Sequence, residues 1–342
     1  MKYKLLSVKG IKAQNIGDYI QALAASQYYP RLDGFIDREK TNFYDDEESA
    51  VIMNGWFMHN PKNWPPSKKI KPLFVAFHLN NSCKEEMLSD AGVSFFKEHE
   101  PIGCRDTFTR DLLLSKGIDA YFSGCLTLTL GNKYQTKEQR RKGVYIVDPI
   151  IPNSTDVISV IHDVLFAVIH PHIICYLAKK LKASNRGINN ILLTSRFYRL
   201  YKKLFSENDL LDAEYIQHET AHYLNDFEDE KARLNEAERL IKLYANAEYV
   251  ITSRIHCALP CLGLNTPVYY TYWEKDDFIS SCRFGGLKDL FNGIKCTKKG
   301  IAADFSTKAP ISTTNIVSNK NDWRQLAGSL TAKCHEFIVS VS

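Results

Sequence analysis

Residues 249–270 read Tyr249-Val-Ile-Thr-Ser-Arg-Ile-His-Cys-Ala-Leu-Pro-Cys-Leu-Gly-Leu-Asn-Thr-Pro-Val-Tyr-Tyr270. Two runs rich in β-branched and aromatic residues, 249–251 and 268–270, enclose about three turns of helix-compatible residues, the grammar of strand, crossover helix and parallel strand. Thr252 and Ser253 stand where an N-cap is expected, Gly263 where the helix should stop, and Pro267 just beyond it. Arg254 and His256 then fall in the first helical turn, beyond the carboxyl end of a strand. In an open α/β sheet that crevice is the usual ligand site.

The chemistry of this turn favours an anion. Unpaired amides and the positive end of the helix dipole point into the crevice. The Arg254 guanidinium is a planar fork suited to carboxylate or phosphate. The dipole keeps the His256 imidazole neutral, and a bound dianion would reverse that by favouring imidazolium. The competing reading pairs Arg254 with a structural carboxylate and gives His256 a capping or packing role.

At these residues the chain resembles the polysaccharide pyruvyl transferase family, which carries an Arg-x-His pair between a strand and a small-residue helix. Three further stretches agree in the expected order. Asn15-Ile-Gly-Asp18 is similar to the family's opening Asn-x-Gly-Asp turn, Gly103-Cys-Arg-Asp106 to its mid-chain Arg-Asp element, and Ser123-Gly-Cys-Leu-Thr127 to the segment that follows. The resemblance spans about residues 5–290. It departs at Asn54-Gly55-Trp56, where many members have a run of glycines, and at Leu126, often Pro.

The resemblance implies two Rossmann-like α/β domains facing one another across a cleft (GT-B-like). The residues themselves support α/β with a basic linker over 132–142. The expected division is 1–138 (acceptor side), 139–310 (donor side) and 311–342, a loop and helix packing back toward the junction. The implied reaction moves pyruvate from phosphoenolpyruvate onto two hydroxyls of a hexose, forming a cyclic ketal and releasing phosphate. It needs neither metal nor nicotinamide. His256 is the expected general acid and Asp18, alternatively a helix cap, the expected base. Arg254, Ser253, Arg105, Asn15, Gly17, Arg196 and His218 are the expected substrate contacts. Arg105 could instead pair with Asp106 or Asp111. Arg196 is read as ending a strand over 190–196, and 295–320 as a polar loop. Trp56 and Phe57 form a potential sugar-stacking platform. Two rival functions stay open: a GT-B glycosyltransferase using a nucleotide sugar, and a non-catalytic saccharide-binding protein.

Composition sets bounds on these readings. The 342 residues carry a net charge of +5, which permits anionic substrates and a weak attraction to the acidic lipid around a lipid-linked acceptor, but is no footprint for nucleic acid. Nine cysteines with no Cys-x-x-Cys pair suggest free thiols in a reducing, cytoplasmic setting. The apolar run at the start, 5–8, is too short for a signal peptide. His218-Glu-Thr-Ala-His222 matches the zinc-protease pattern H-E-x-x-H. It is set aside because 213–217 alternates like a strand, Asn225, Asp226 and Asp229 make a loop within a turn of His222, and no third ligand stands out, although Glu236 or Glu238 could be offered. No Walker loop and no G-x-G-x-x-G after a strand is present.

Overall fold

A computed structural model of the chain describes residues 1–9, 14–136, 141–152, 156–274, 282–298, 300–307 and 310–342. Three sheets organise it. The first has order β2-β1-β3-β5, from β1 (Lys2–Ser7), β2 (Gly34–Asp37), β3 (Ser49–Ile52) and β5 (Ile70–Leu73), all parallel. The second has order β4-β6-β7-β8, from β4 (Gly55–Phe57), β6 (Phe77–Leu79), β7 (Ile102–Cys104) and β8 (Ala120–Phe122), also parallel. The third has order β10-β9-β11-β12-β13-β14, from β9 (Val144–Val147), β10 (Glu214–Ile216), β11 (Tyr249–Thr252), β12 (Val268–Trp273), β13 (Asn292–Thr297) and β14 (Gly300–Ala303). Only its β13–β14 pair is antiparallel.

The stretch 249–270 folds as read: β11, the helix Ile255–Gly263, then parallel β12. Its caps differ from the expectation. The N-cap is Arg254, with no side-chain cap bond. Thr252 and Ser253 spend their hydroxyls elsewhere: Thr252 Oγ1 accepts from the Arg254 amide, and Ser253 Oγ donates to the Asp148 carbonyl at 2.5 Å. Gly263 is the last helical residue rather than the cap. It serves close packing instead, because a Cβ there would overlap the Leu128 carbonyl.

Burial explains how the halves of the chain hold together. Ile16, Ile20 and Leu23 of the helix Ile16–Ser26 share one apolar cluster with Leu234, Ala237 and Ile241 of the helix Glu230–Asn246 and with Leu259 and Leu262. The final helix, Trp323–Val341, buries Leu330 and Cys334 in the same cluster and bonds through Thr331 to Tyr28 and Asn132. Of the expected linker, 137–140 lie outside the described residues.

The run 73–78 is split between two strands in two sheets, because Ala76 takes a left-handed φ of 54° between β5 and β6 and gives its amide to Ser123 Oγ. Two local expectations are corrected. Residues 295–320 are no mere polar loop; β13 turns into β14 there. Residues 190–196 are helical, within Gly187–Tyr201. A short apolar run is ambiguous between strand and helix, and here the buried positions continue through Phe197, Tyr198, Leu200 and Tyr201. Arg196 is therefore not at a strand end. It is buried, with Nε 2.7 Å from Asp163 Oδ2, while Arg199 holds Oδ1 at 2.8 Å. Asp163→Ala should cost about 3–5 kcal/mol in a urea titration, because it leaves a buried guanidinium uncompensated.

Candidate active site

A cleft of about 640 Å³ opens at the carboxyl ends of the parallel strands. Three arginines reach it by one device: Arg38, Arg105 and Arg254 each follow a strand end by one or two residues, after β2, β7 and β11. Arg283 and Lys288 add two more cations, against carboxylates from Asp18 and Glu219. An excess of cations in a shared low-dielectric cavity focuses positive potential on a ligand.

The helix at 255 begins the site. Its uncapped first turn leaves amides for a ligand or solvent. Arg254 donates from Nε to Asp148 Oδ2 at 2.7 Å and from a terminal nitrogen to Glu219 Oε2 at 2.9 Å. Burial pulls its pKa down, but Asp148 and then Glu219 outweigh that and raise it overall. Asp148 adopts a left-handed φ of 42°, and its carboxylate also accepts the His218 amide at 2.9 Å. So the structural-carboxylate reading of Arg254 is realised, yet the residue still lines the cleft.

His256 is partly buried, and its Nε2 has no hydrogen-bond partner among the described residues. Burial first, then Arg105, Arg283, His218 and Arg254, push its pKa well below the usual imidazole value. That shift favours the neutral imidazole. Gly17 presses on its other side: a Cβ at Gly17 would stand 3.0 Å from His256 Nδ1. The same Cβ would stand 2.9 Å from Asn15 Oδ1, and the two contacts together favour glycine in the opening turn.

Arg105 is 3% exposed, and its Nε makes no hydrogen bond among the described residues. Its nearest carboxylate, Asp106, lies 3.9 Å away. Asp106 is engaged elsewhere, accepting the Thr109 amide as the cap of Thr107–Leu114 and bonding His78 Nδ1 at 2.6 Å. Burial, and then Arg105, lower the His78 pKa to about 4, and the residue is structural. Asp111 pairs with Arg110, not Arg105. Burial depresses the Arg105 pKa, the mark of a cation held without full compensation.

The opening turn faces this constellation. Asn15, not Asp18, is the N-cap, accepting the Gly17 amide at 3.0 Å. Asp18 sits in the first turn, 3.1 Å from an Arg38 nitrogen, and lines the cleft. Trp56 also lines it, packed on His59 with ring centroids 4.4 Å apart, whereas Phe57 is fully buried core. Tyr272, Trp273 and Phe284 give the far wall aromatic faces.

The His218–His222 segment is not a zinc helix. His218 lies before the short helix His222–Asn225, is buried, and shares a 2.6 Å bond between Nε2 and the Tyr244 hydroxyl. Burial, then Arg254, lower its pKa to about 3. His222 is exposed and pairs with Asp226. Among the described residues no cluster of His, Cys, Asp or Glu could hold a metal ion. Instead, the segment's backbone joins the opening turn: the Ile16 amide donates to the His218 carbonyl at 2.9 Å and the Thr220 amide to the Gln14 carbonyl at 3.1 Å.

Of the residues expected at the site, Asn15, Gly17, Asp18, Arg105, His218, Ser253, Arg254 and His256 converge on the cleft, and Arg196 does not line it. Arg38 and Lys288 were missed as contacts. Arg38 was findable, because Phe35 and Ile36 just before it are β-compatible residues, and so it repeats the strand-end arginine of Arg105 and Arg254. Lys288 carried no signal in isolation.

Fold and site together define an α/β protein with a cationic cleft at the carboxyl ends of parallel strands. The model of the family described as polysaccharide pyruvyl transferase matches residues 15–275. The chain belongs to that family, and so to a group of transferases. Among curated proteins no match is found. Among solved structures, it is similar to a functionally uncharacterized protein of Klebsiella pneumoniae subsp. pneumoniae NTUH-K2044, at 13% identity and a TM-score of 0.39, over 83% of this chain and 87% of that one.

Proposed function

We propose that this protein transfers the pyruvyl group of phosphoenolpyruvate onto two hydroxyls of a saccharide, giving a cyclic ketal and inorganic phosphate. The observation that carries the reading is the meeting, in one cleft, of a buried guanidinium without hydrogen bonds at Nε and an imidazole whose Nε2 is unpartnered. A three-carbon donor bearing a phosphate and a carboxylate supplies what both lack: anionic oxygens for Arg105, and negative charge that drives His256 toward imidazolium.

His256 then delivers a proton to the enol methylene. The resulting cationic carbon takes one sugar hydroxyl, phosphate departs, and the second hydroxyl closes the ketal. Of the two hydroxyl protons released, one restores His256 and the other leaves with phosphate. In this reading Asp18, paired with Arg38, takes the second of these protons from its hydroxyl and passes it to the phosphate, and Trp56 offers a ring face to a pyranose. Arg283 and Lys288 complete the anion's surroundings.

The same reading divides the chain into GT-B-like domains at 1–138 and 139–310, with 311–342 returning to the junction. Its cytoplasmic setting is supported by nine free thiols, eight of them buried.

A thermal-shift panel tests the reading. Phosphoenolpyruvate at 100 times its Kd should add about 2.7 kcal/mol of stability, and phosphate should be released once an acceptor sugar is present. A shift with UDP-sugars and none with phosphoenolpyruvate would instead assign a nucleotide-sugar transferase.

A further inference from the structure

The helix Val157–Ile169 is inside out. Its single carboxylate, Asp163, is 2% exposed and held by Arg196 and Arg199, and Ser195 Oγ donates to the Asp163 carbonyl. Its outward face is aliphatic: Ile158, Ile161, Leu165, Val168 and Ile169 are 50–70% exposed. Of the fifteen exposed large apolar side chains among the described residues, eight belong to this helix, so the exposure is one patch rather than scatter. Scattered surface leucines need no account, but a contiguous apolar face does.

Charge indicates what covers it. Two exposed acids bound this region, Asp156 at the helix N-cap and Glu207, which is held by Lys202 and Tyr198; between them the only acidic residue is the buried Asp163, while Lys179, Lys182, Arg186 and Lys203 are exposed. A second copy of this chain would bring the same cations toward one another. An anionic lipid surface would complement them, with the aliphatic face at the acyl boundary and the lysines among headgroups. No single described helix is long and apolar enough to cross a membrane, and this helix meets the next, Pro171–Leu181, at 107°.

We infer that the outward face of Val157–Ile169, with its basic flank, docks the protein on the surface of an anionic phospholipid bilayer. The inference does not depend on the reaction in the cleft, and its test has no readout there. The full chain is floated with vesicles of phosphatidylcholine alone or mixed with phosphatidylglycerol, at low and high salt. The expected result is co-flotation with the anionic vesicles, weakened by salt. Leu165→Glu with Val168→Glu should reduce partitioning at least about tenfold, and Lys179→Gln or Lys182→Gln about fivefold each. Circular dichroism checks the fold, and the lysine variants keep the test decisive should the double variant unfold. Absence of flotation, or flotation unchanged in the variants, overturns the inference. So does a dimer by light scattering that the double variant dissolves without any lipid binding.

Discussion

His256→Ala is expected to slow phosphate release from phosphoenolpyruvate about 10²–10⁴-fold, the usual worth of a positioned general acid, while the protein still melts cooperatively. The variant should still bind the donor, since the arginines remain. The sharper readout is proton uptake. In the empty site His256 is held neutral by burial and by Arg105, Arg283, His218 and Arg254, in that order. A dianion among those cations favours the charged imidazole, so its pKa rises on binding and a proton enters with the donor. Calorimetry in buffers of different ionisation enthalpy should record that uptake in the wild type and lose it in His256→Ala. Donor binding with no proton uptake, together with undiminished turnover, would remove His256 from the mechanism. The depressed value also fixes a sign for stability. The unfolded chain binds protons that the buried imidazoles of His78, His218 and His256 refuse, so stability falls as pH drops below about 6.5.

Arg105→Met is expected to lower kcat/KM about 10²–10³-fold, within the range for losing a buried charge partner, and yet to raise the stability of the empty protein. These opposite signs are the useful part. A guanidinium 3% exposed, with its closest carboxylate at 3.9 Å, bears most of the desolvation cost of burial with little return. Burying one ion carries an effective desolvation penalty of several kcal/mol, which an apolar side chain of similar volume is spared. Asp106 would not be stranded, since His78 and the Thr109 amide still satisfy it. The donor-induced thermal shift should shrink at the same time. A destabilised variant with the shift intact would make Arg105 a structural residue.

The strand–helix–strand at 249–270 was legible because its ends are β-branched or aromatic and its middle is not. That no hydroxyl caps that helix was not, since Thr252 takes the Arg254 amide and Ser253 finds its partner 105 residues away in Asp148. Residues 190–196 misled for a related reason. Five residues of apolar and small side chains fit either period, and the arginine ending them is explained only by Asp163, on a different helix. The two halves of the cleft were visible as motifs, yet the press of Gly17 against His256 joins residues 239 positions apart and belongs to packing alone. Arg38 shows the opposite case, where the sequence held the pattern and only its third instance was passed over.

The two bonds tying the opening turn to residues 218–220 run from main chain to main chain. No side-chain substitution removes them. The segment carrying Asn15, Gly17 and Asp18 therefore keeps its register against His218 and Glu219 whatever side chains line the cleft, so the lining can be varied residue by residue without unpinning the turn that presents it.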